Sequence, residues 1–451
     1  MTEHVLPEHE APDFNFKEAV TEAKRCLNCA KPKCRVGCPI DNEIPEFIKA
    51  LANGNIGLAS EIIAHKSNLP AVCGRVCPRE KQCEGSCILN AKNEPIKIGQ
   101  LERFIADMDG SLELTPMPKL GNKGKVAVIG SGPAGLTVAG DLAKLGFRAT
   151  VFDAQPEPGG VLMYGIPEFR LSKEVVRREI YKIERLGVEF KNNVMVGEDF
   201  VLEDLFAEGY DAVFIGTGNA VAKTLDIEGK DLNGVMEATY LLQVVALANQ
   251  GSVDKSEIPI AKGDEVIVVG AGNVAMDAAR TALREGASNV KVIFRGLENS
   301  ITALQAEVAA AKSEGVEFVP LHSPLRFVGT DNVEGLECGV RCVDMNGKVQ
   351  DTDEKVIFPA DKVIVAIGQK PAARIVSTSK GIEVEPGGFL KTVTRPYGMT
   401  TRRGVFSGGD VVHGPATVVR AMKDAKQVAL GIAQYVEAKK LLEECGISIS
   451  E

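Results

Sequence analysis

The chain has 451 residues, 45% hydrophobic and 25% charged, with a formal net charge of -9. That length calls for two to four domains of ordinary size, and that composition for a globular protein with a large core. The acidic balance excludes the cationic surface that non-specific nucleic-acid binding needs, and no apolar run is long enough to span a bilayer. The opening residues, MTEHVLPEHE, are acidic and lack an apolar signal core, so a cytoplasmic protein is expected.

Residues 1–115 carry most of the cysteines. Of 11 in all, eight lie between Cys26 and Cys87, while Cys338, Cys342 and Cys445 are scattered. The first group runs Cys26-x2-Cys29-x4-Cys34-x3-Cys38-Pro39 and the second Cys73-x3-Cys77-Pro78-x4-Cys83-x3-Cys87. In a reducing compartment such a dense cluster means metal rather than disulfides. Zinc usually takes two clean pairs of cysteines. Two runs of four, two members of which precede proline, fit two four-cysteine iron–sulfur sites better. Spacing alone does not assign each cysteine to a cluster.

A Pro/Gly/Lys-rich linker, TPMPKLGNKGK, follows, and from Lys125 strands and helices alternate. VAVIG (126–130) reads as a strand, PAGLTVAGDLAKLG as a helix and ATVFDA (149–154) as a second strand, which is a βαβ unit. Gly130-Ser131-Gly132-Pro133-Ala134-Gly135 is its dinucleotide fingerprint. The first glycine allows the tight turn, the second the approach of a pyrophosphate, and the third close helix packing. The helix N-terminus faces the phosphates. Asp153, ending the second strand, is placed to bond a ribose hydroxyl.

The pattern recurs at EVIVVG (265–270), with Gly270-Ala271-Gly272-Asn273-Val274-Ala275 opening a helix and VKVIF (290–294) following. No acid ends that strand. Arg295 stands there instead, suited to a 2′-phosphate. Two nucleotide units imply two nucleotides, FAD on the first and a nicotinamide on the second. VFSGGD (405–410) then offers Asp410, next to Gly409, as a partner for the flavin's ribityl chain, just before a long helix reading ATVVRAMKDAKQVALGIAQYVEAKKLL.

Together AKRCLNCAKPKCRVGCP, AVCGRVCP, GKVAVIGSGPAGL, GGVLMYGIPEFRL, GAGNVAMDAAR, AIGQKP and GVFSGGDVV resemble the glutamate synthase small-subunit family. Its relatives include the large subunit of NADH-dependent ferredoxin:NADP oxidoreductase, the sulfide dehydrogenase flavoprotein and the N-terminal half of dihydropyrimidine dehydrogenase. The resemblance covers nearly the whole chain. It implies an α/β protein with an N-terminal α-helical iron–sulfur domain and two Rossmann-like domains, the second inserted in the first. The implied bounds are 1–115 for the clusters, 116–240 and 373–451 for FAD, and 241–372 for NAD(P). It further implies one [4Fe-4S] cluster on Cys26, Cys29, Cys34 and Cys87. The other falls on Cys38, Cys77, Cys83 and the Glu102 carboxylate, with Cys73 left unligated. Gly160, Ala366, Ile367 and Gly368 join the nucleotide sites on the same ground.

The implied activity is NAD(P)H oxidation through FAD, with electrons leaving through the clusters. The acceptor is a larger catalytic subunit such as that of glutamate synthase, or alternatively a ferredoxin-linked flavoprotein subunit in a bifurcating enzyme, or polysulfide directly as in a sulfide dehydrogenase, and an oligomer is expected. No acid or base is needed, because the cofactors carry the chemistry. The sequence departs from the family in one place: Arg295 is followed by Gly296, Leu297 and Glu298, and Thr302 is not basic. NADPH stays the favoured donor, with NADH open. A non-catalytic nucleotide-binding redox sensor is the reading from another class.

Overall fold

The computed structural model describes residues 14–112 and 121–447. The chain divides into two compact units, and the smaller holds Val221–Gln369 with Tyr164–Glu168. The larger therefore continues on both sides of the smaller in sequence. Position 240, expected as a boundary, falls inside helix Ala238–Asn249. The linker expected near 115 lies mostly outside the described residues. No helix among the described residues is long and apolar enough to cross a membrane.

The larger unit begins with short helices. Asn15 caps helix Phe16–Lys24 by accepting from the Glu18 backbone N–H at 3.0 Å, and Glu18 returns the bond to Asn15 N at 2.9 Å. Phe47, Leu51, Ile63, Leu101 and Ile105 on helices Ile44–Ala52, Ile56–Lys66 and Ile98–Leu112 bury together. Helix Pro70–Val76 crosses Ile98–Leu112 so closely that a Cβ on Gly74 would lie 2.7 Å from the Arg103 nitrogen.

A seven-stranded sheet follows, ordered Thr392–Thr394, Tyr397–Thr400, Val405–Ser407, Ala212–Ile215, Lys125–Ile129, Arg148–Phe152, Glu189–Lys191. The five from Val405–Ser407 onward are parallel. The buried apolar runs Val126–Ile129 and Ala212–Ile215 in the middle of the sheet reflect cover on both faces. Helix Pro133–Lys144 packs on the 27-residue helix Val418–Glu444. Buried Asn68 ties the helical region to this layer: its Nδ2 donates to Asp141 Oδ1 at 2.8 Å, and its Oδ1 accepts from Lys144 Nζ at 2.5 Å.

The smaller unit holds a five-stranded parallel sheet, ordered Val235–Glu237, Lys362–Val365, Glu265–Val269, Asn289–Ile293, Glu317–Val319. It also has a three-stranded antiparallel sheet, His322–Gly329, Val333–Val343 and Val349–Pro359, which the sequence reading did not foresee. The last strand is polar and largely exposed, so it shows no clean apolar period.

Candidate functional site

Two of the cysteines sit where helices stop. Cys38 and Cys77 each end a helix in extended conformation, with ψ 122 and ψ 138. The proline after each disfavours helical geometry in the residue before it. Asn28, between Cys26 and Cys29, takes the left-handed conformation (φ 46) that curls this short segment. Two groups result. The thiols of Cys26, Cys29, Cys34 and Cys87 act on one another electrostatically. Cys38, Cys73, Cys77, Cys83 and Glu102 line a separate cavity, bordered also by Val419.

Burial pushes the thiol of Cys34 up to about 11 and that of Cys38 to about 12, and raises Cys83 further. Burial is also the main reason the Glu102 carboxyl is pushed up to about 8, with Glu179 adding repulsion and Arg79 opposing. Asn42 Nδ2 donates to Glu102 Oε1 at 3.2 Å. A set of acidic donors held neutral by burial fits a cationic metal centre, which takes the place of the protons. Among the described residues, no three His, Cys, Asp or Glu side chains converge as the donor set of one ion. A four-iron cluster is bound through separate irons and so takes thiolates spread further apart. Cys73 is fully buried and its Sγ contacts Met422 Sδ at 3.6 Å.

The first glycine turn is open where a ligand must approach and closed elsewhere. A Cβ on Gly132 would meet nothing within 4 Å, whereas one on Gly135 would lie 1.9 Å from the Gly130 carbonyl oxygen. Gly130 itself has φ +94. Gly160 and Gly409 complete the cradle: their Cβ positions lie 2.8 Å from Gly132 Cα and 2.9 Å from Ala134 Cβ. Asp153, expected to take a ribose hydroxyl, holds the turn itself. Its Oδ2 accepts from Ser131 Oγ and, at 2.7 Å, from Ser131 N, while Oδ1 accepts from Gln155 N at 2.9 Å.

Asp410 opens a short helix, Asp410–His413, which separates Gly409 from the long helix expected directly after it. Burial raises the Asp410 carboxyl above its ordinary value.

The second turn lies in the smaller unit. Gly270 (φ +131) backs onto Ala366, whose carbonyl oxygen would lie 2.4 Å from a Cβ. A Cβ on Gly272 would meet only Thr302 Oγ1, at 3.8 Å. Asn273 Oδ1 accepts from Leu304 N at 2.9 Å, and Ala271 O accepts from Thr302 N and Ala303 N at 3.2 Å. Val274 and Ala275 lie in the first turn of helix Asn273–Arg284, with Ala275 fully buried. Ile367 is partly exposed and Gly368 has φ +112. Arg295 is exposed at the end of strand Asn289–Ile293.

Sequence reasoning missed two residues. Asp424 fixes Gly409 by accepting from its N–H at 2.7 Å, and also accepts from Tyr397 Oη at 2.7 Å and contacts His413 Nε2 at 3.1 Å. It lies mid-helix, where no motif marks it. Asn219, just past strand Ala212–Ile215, has both side-chain polar atoms buried without a partner among the described residues. Its signal was the GTGN run at the carboxyl end of a parallel strand, where ligands gather in such sheets.

The family profile described as dihydropyrimidine dehydrogenase domain II, 4Fe-4S cluster, matches residues 6–113, and that of pyridine nucleotide-disulphide oxidoreductase matches 124–425. The glutamate synthase [NADPH] small chain of Halomonas elongata is 38% identical over 437 residues, covering 94% of this chain and 92% of the relative. The NAD-dependent dihydropyrimidine dehydrogenase subunit PreT of Escherichia coli O157:H7 is 34% identical, covering 94% of this chain and 96% of its own. Among solved structures, FprA of Mycobacterium tuberculosis in complex with NADPH aligns with a TM-score of 0.59 at 20% identity. It covers 73% of this chain and 87% of its own, a likeness of fold.

Proposed function

The chain belongs to the glutamate synthase small-chain family, and from that premise we propose that it oxidises NADPH and delivers the electrons to a larger catalytic subunit. Bound FAD supplies hydride acceptance and iron–sulfur clusters supply single-electron transfer.

The chain's own residues bind and orient. The Gly130–Gly135 turn and the N-terminus of helix Pro133–Lys144 hold the flavin nucleotide's pyrophosphate. Gly160, Gly409, Asp410 and Asn219 border the same nucleotide. Gly270–Ala275, Arg295 and Ala366–Gly368 take the nicotinamide nucleotide. Cys26, Cys29, Cys34 and Cys87 serve one cluster, and Cys38, Cys77, Cys83 and Glu102 the other. The domain roles follow: residues to about 115 carry the clusters, and the sheet on either side of the insertion carries FAD.

One observation carries the reading. The long helix Val418–Glu444 joins the two redox sites within one unit: Ala421 Cβ would lie 3.7 Å from a Cβ on Gly409, and Val419 borders the cysteine cavity.

Protein purified without oxygen and mixed with a glutamate synthase large chain should support NADPH-dependent glutamate formation. A preparation that reduces dyes but never the large chain overturns the choice of partner.

NADH is the second reading, favoured by the single Arg295 and by the NAD-dependent relative. The ratio of kcat/KM for the two nucleotides with a dye acceptor decides between them.

A further inference from the structure

We propose that Arg341, on strand Val333–Val343, is the second cation of the 2′-phosphate subsite and completes the clamp that Arg295 begins. The inference rests on the NADPH reading above and supplies the residue that the sequence around Arg295 lacks.

Arg295 lies just past strand Asn289–Ile293, which follows the second fingerprint, where the adenosine ribose of a dinucleotide sits. Its sequence neighbours cannot add a second cation without rearrangement. A Cβ on Gly296 would lie 2.2 Å from Ser300 Oγ. Glu298 is acidic, though Lys312 pairs with it and offsets its charge.

The antiparallel sheet brings in what the sequence neighbours do not. Arg341 Nη1 donates to the Arg295 carbonyl oxygen at 2.8 Å, across 46 residues of sequence. Its backbone N–H donates to Leu321 O at 2.8 Å, and Leu321 N donates to Gly296 O at 3.1 Å. One bond thus holds the guanidinium at the Arg295 backbone, and the two backbone bonds hold its strand against the same loop. Its side chain is 20% exposed, so a phosphate contact there is less screened than one at an open surface.

Arg341 Nε donates to Asp351 Oδ1 at 2.6 Å. Asp351 is 76% exposed, so its carboxylate stays solvated where a phosphate takes its place on the guanidinium. A guanidinium carries five N–H donors in a rigid fork. Arg341 can therefore keep the Arg295 carbonyl and offer its remaining donors to phosphate. Lysine, a point charge, matches that geometry poorly.

The test uses the flavin-loaded protein. Binding of 2′,5′-ADP and of ADP is measured by calorimetry, and kcat/KM for NADPH and NADH with a dye acceptor. Arg341→Ala should weaken 2′,5′-ADP and NADPH roughly tenfold or more, the scale of one lost charge-assisted contact, while ADP and NADH change less than about twofold. Arg341→Lys should recover only part of the loss. Asp351→Asn, which keeps both arginines, should raise the preference for the phosphorylated ligands. Equal losses for both nucleotide types would show that Arg341 only supports the loop and would overturn the proposal while leaving the NADPH reading intact. No change in Arg341→Ala would overturn it as well. If the unmodified protein binds 2′,5′-ADP no better than ADP, the NADPH reading itself fails, and the proposal with it.

Discussion

The two glycine turns begin from nearly the same local sequence and are finished differently. Around Gly130–Gly135 the chain closes in. Ser131 is fully buried and doubly bonded to Asp153, and Pro133, Ala134 and Gly135 are buried too. Around Gly270–Ala275 it stays looser: residues 271–274 are only half-buried, and the turn is anchored by Asn273 and the Ala271 carbonyl. A nucleotide that stays can be built into a core, because its site never has to reopen. One that arrives and leaves at every turnover needs an accessible turn. The difference lies in what packs around the motif rather than in the motif.

The strongest way to break this comparison is to fill each turn. Gly132→Val should abolish flavin binding while the flavin-free fold keeps its melting temperature, since a Cβ there meets nothing within 4 Å. Gly272→Val should leave flavin in place and raise KM for the nicotinamide nucleotide instead. Stoichiometric flavin recovered from Gly132→Val would refute the assignment.

A second contrast lies in the cysteines. Cys77→Ser should lose about half of roughly eight irons per chain, whereas Cys73→Ser keeps them all, as iron analysis on anaerobic protein would show. Equal losses would make Cys73 a ligand.

The third position of each turn sharpens the comparison further. Gly135→Ala forces a Cβ to 1.9 Å from the Gly130 carbonyl oxygen and should cost about 1–3 kcal/mol of stability, read by denaturant unfolding. The mirror change, Ala275→Gly, only loosens a helix, at about 0.5–1 kcal/mol.

The smallest effect is pH-dependent. Its bond to Asp424 raises the His413 imidazole above the ordinary 6.5, and Asp424 is in turn held below the ordinary 3.8. A raised histidine contributes fully below 6.5 and loses its contribution as pH rises through its raised value. Asp424 stays ionised across that range, so only His413 titrates. Flavin release should quicken modestly as pH rises from 6.5 through the raised value of His413, and His413→Gln should flatten the profile by staying uncharged throughout. Parallel profiles in the two proteins would sink the idea.

Much of this protein was legible without coordinates. A glycine turn between a short apolar strand and a helix has few ways to fold, because φ, the helix N-terminus and the strand twist are all local. Both fingerprints, at Gly130 and Gly270, accordingly fall where the pattern puts them. The prolines after Cys38 and Cys77 likewise end their helices by local sterics alone.

What the sequence could not carry is whatever joins distant residues through a sheet or between helices. Asp424 reaches Gly409 across 15 residues, and Arg341 meets Arg295 across 46. The polar strand Val349–Pro359 has no apolar period to announce it, yet it pairs with Val333–Val343 and supplies Asp351 to Arg341. The backbone bonds of a ladder are the same whatever side chains flank them, and a strand without an apolar period gives no sign of its register, so the folded chain decides which side chains meet.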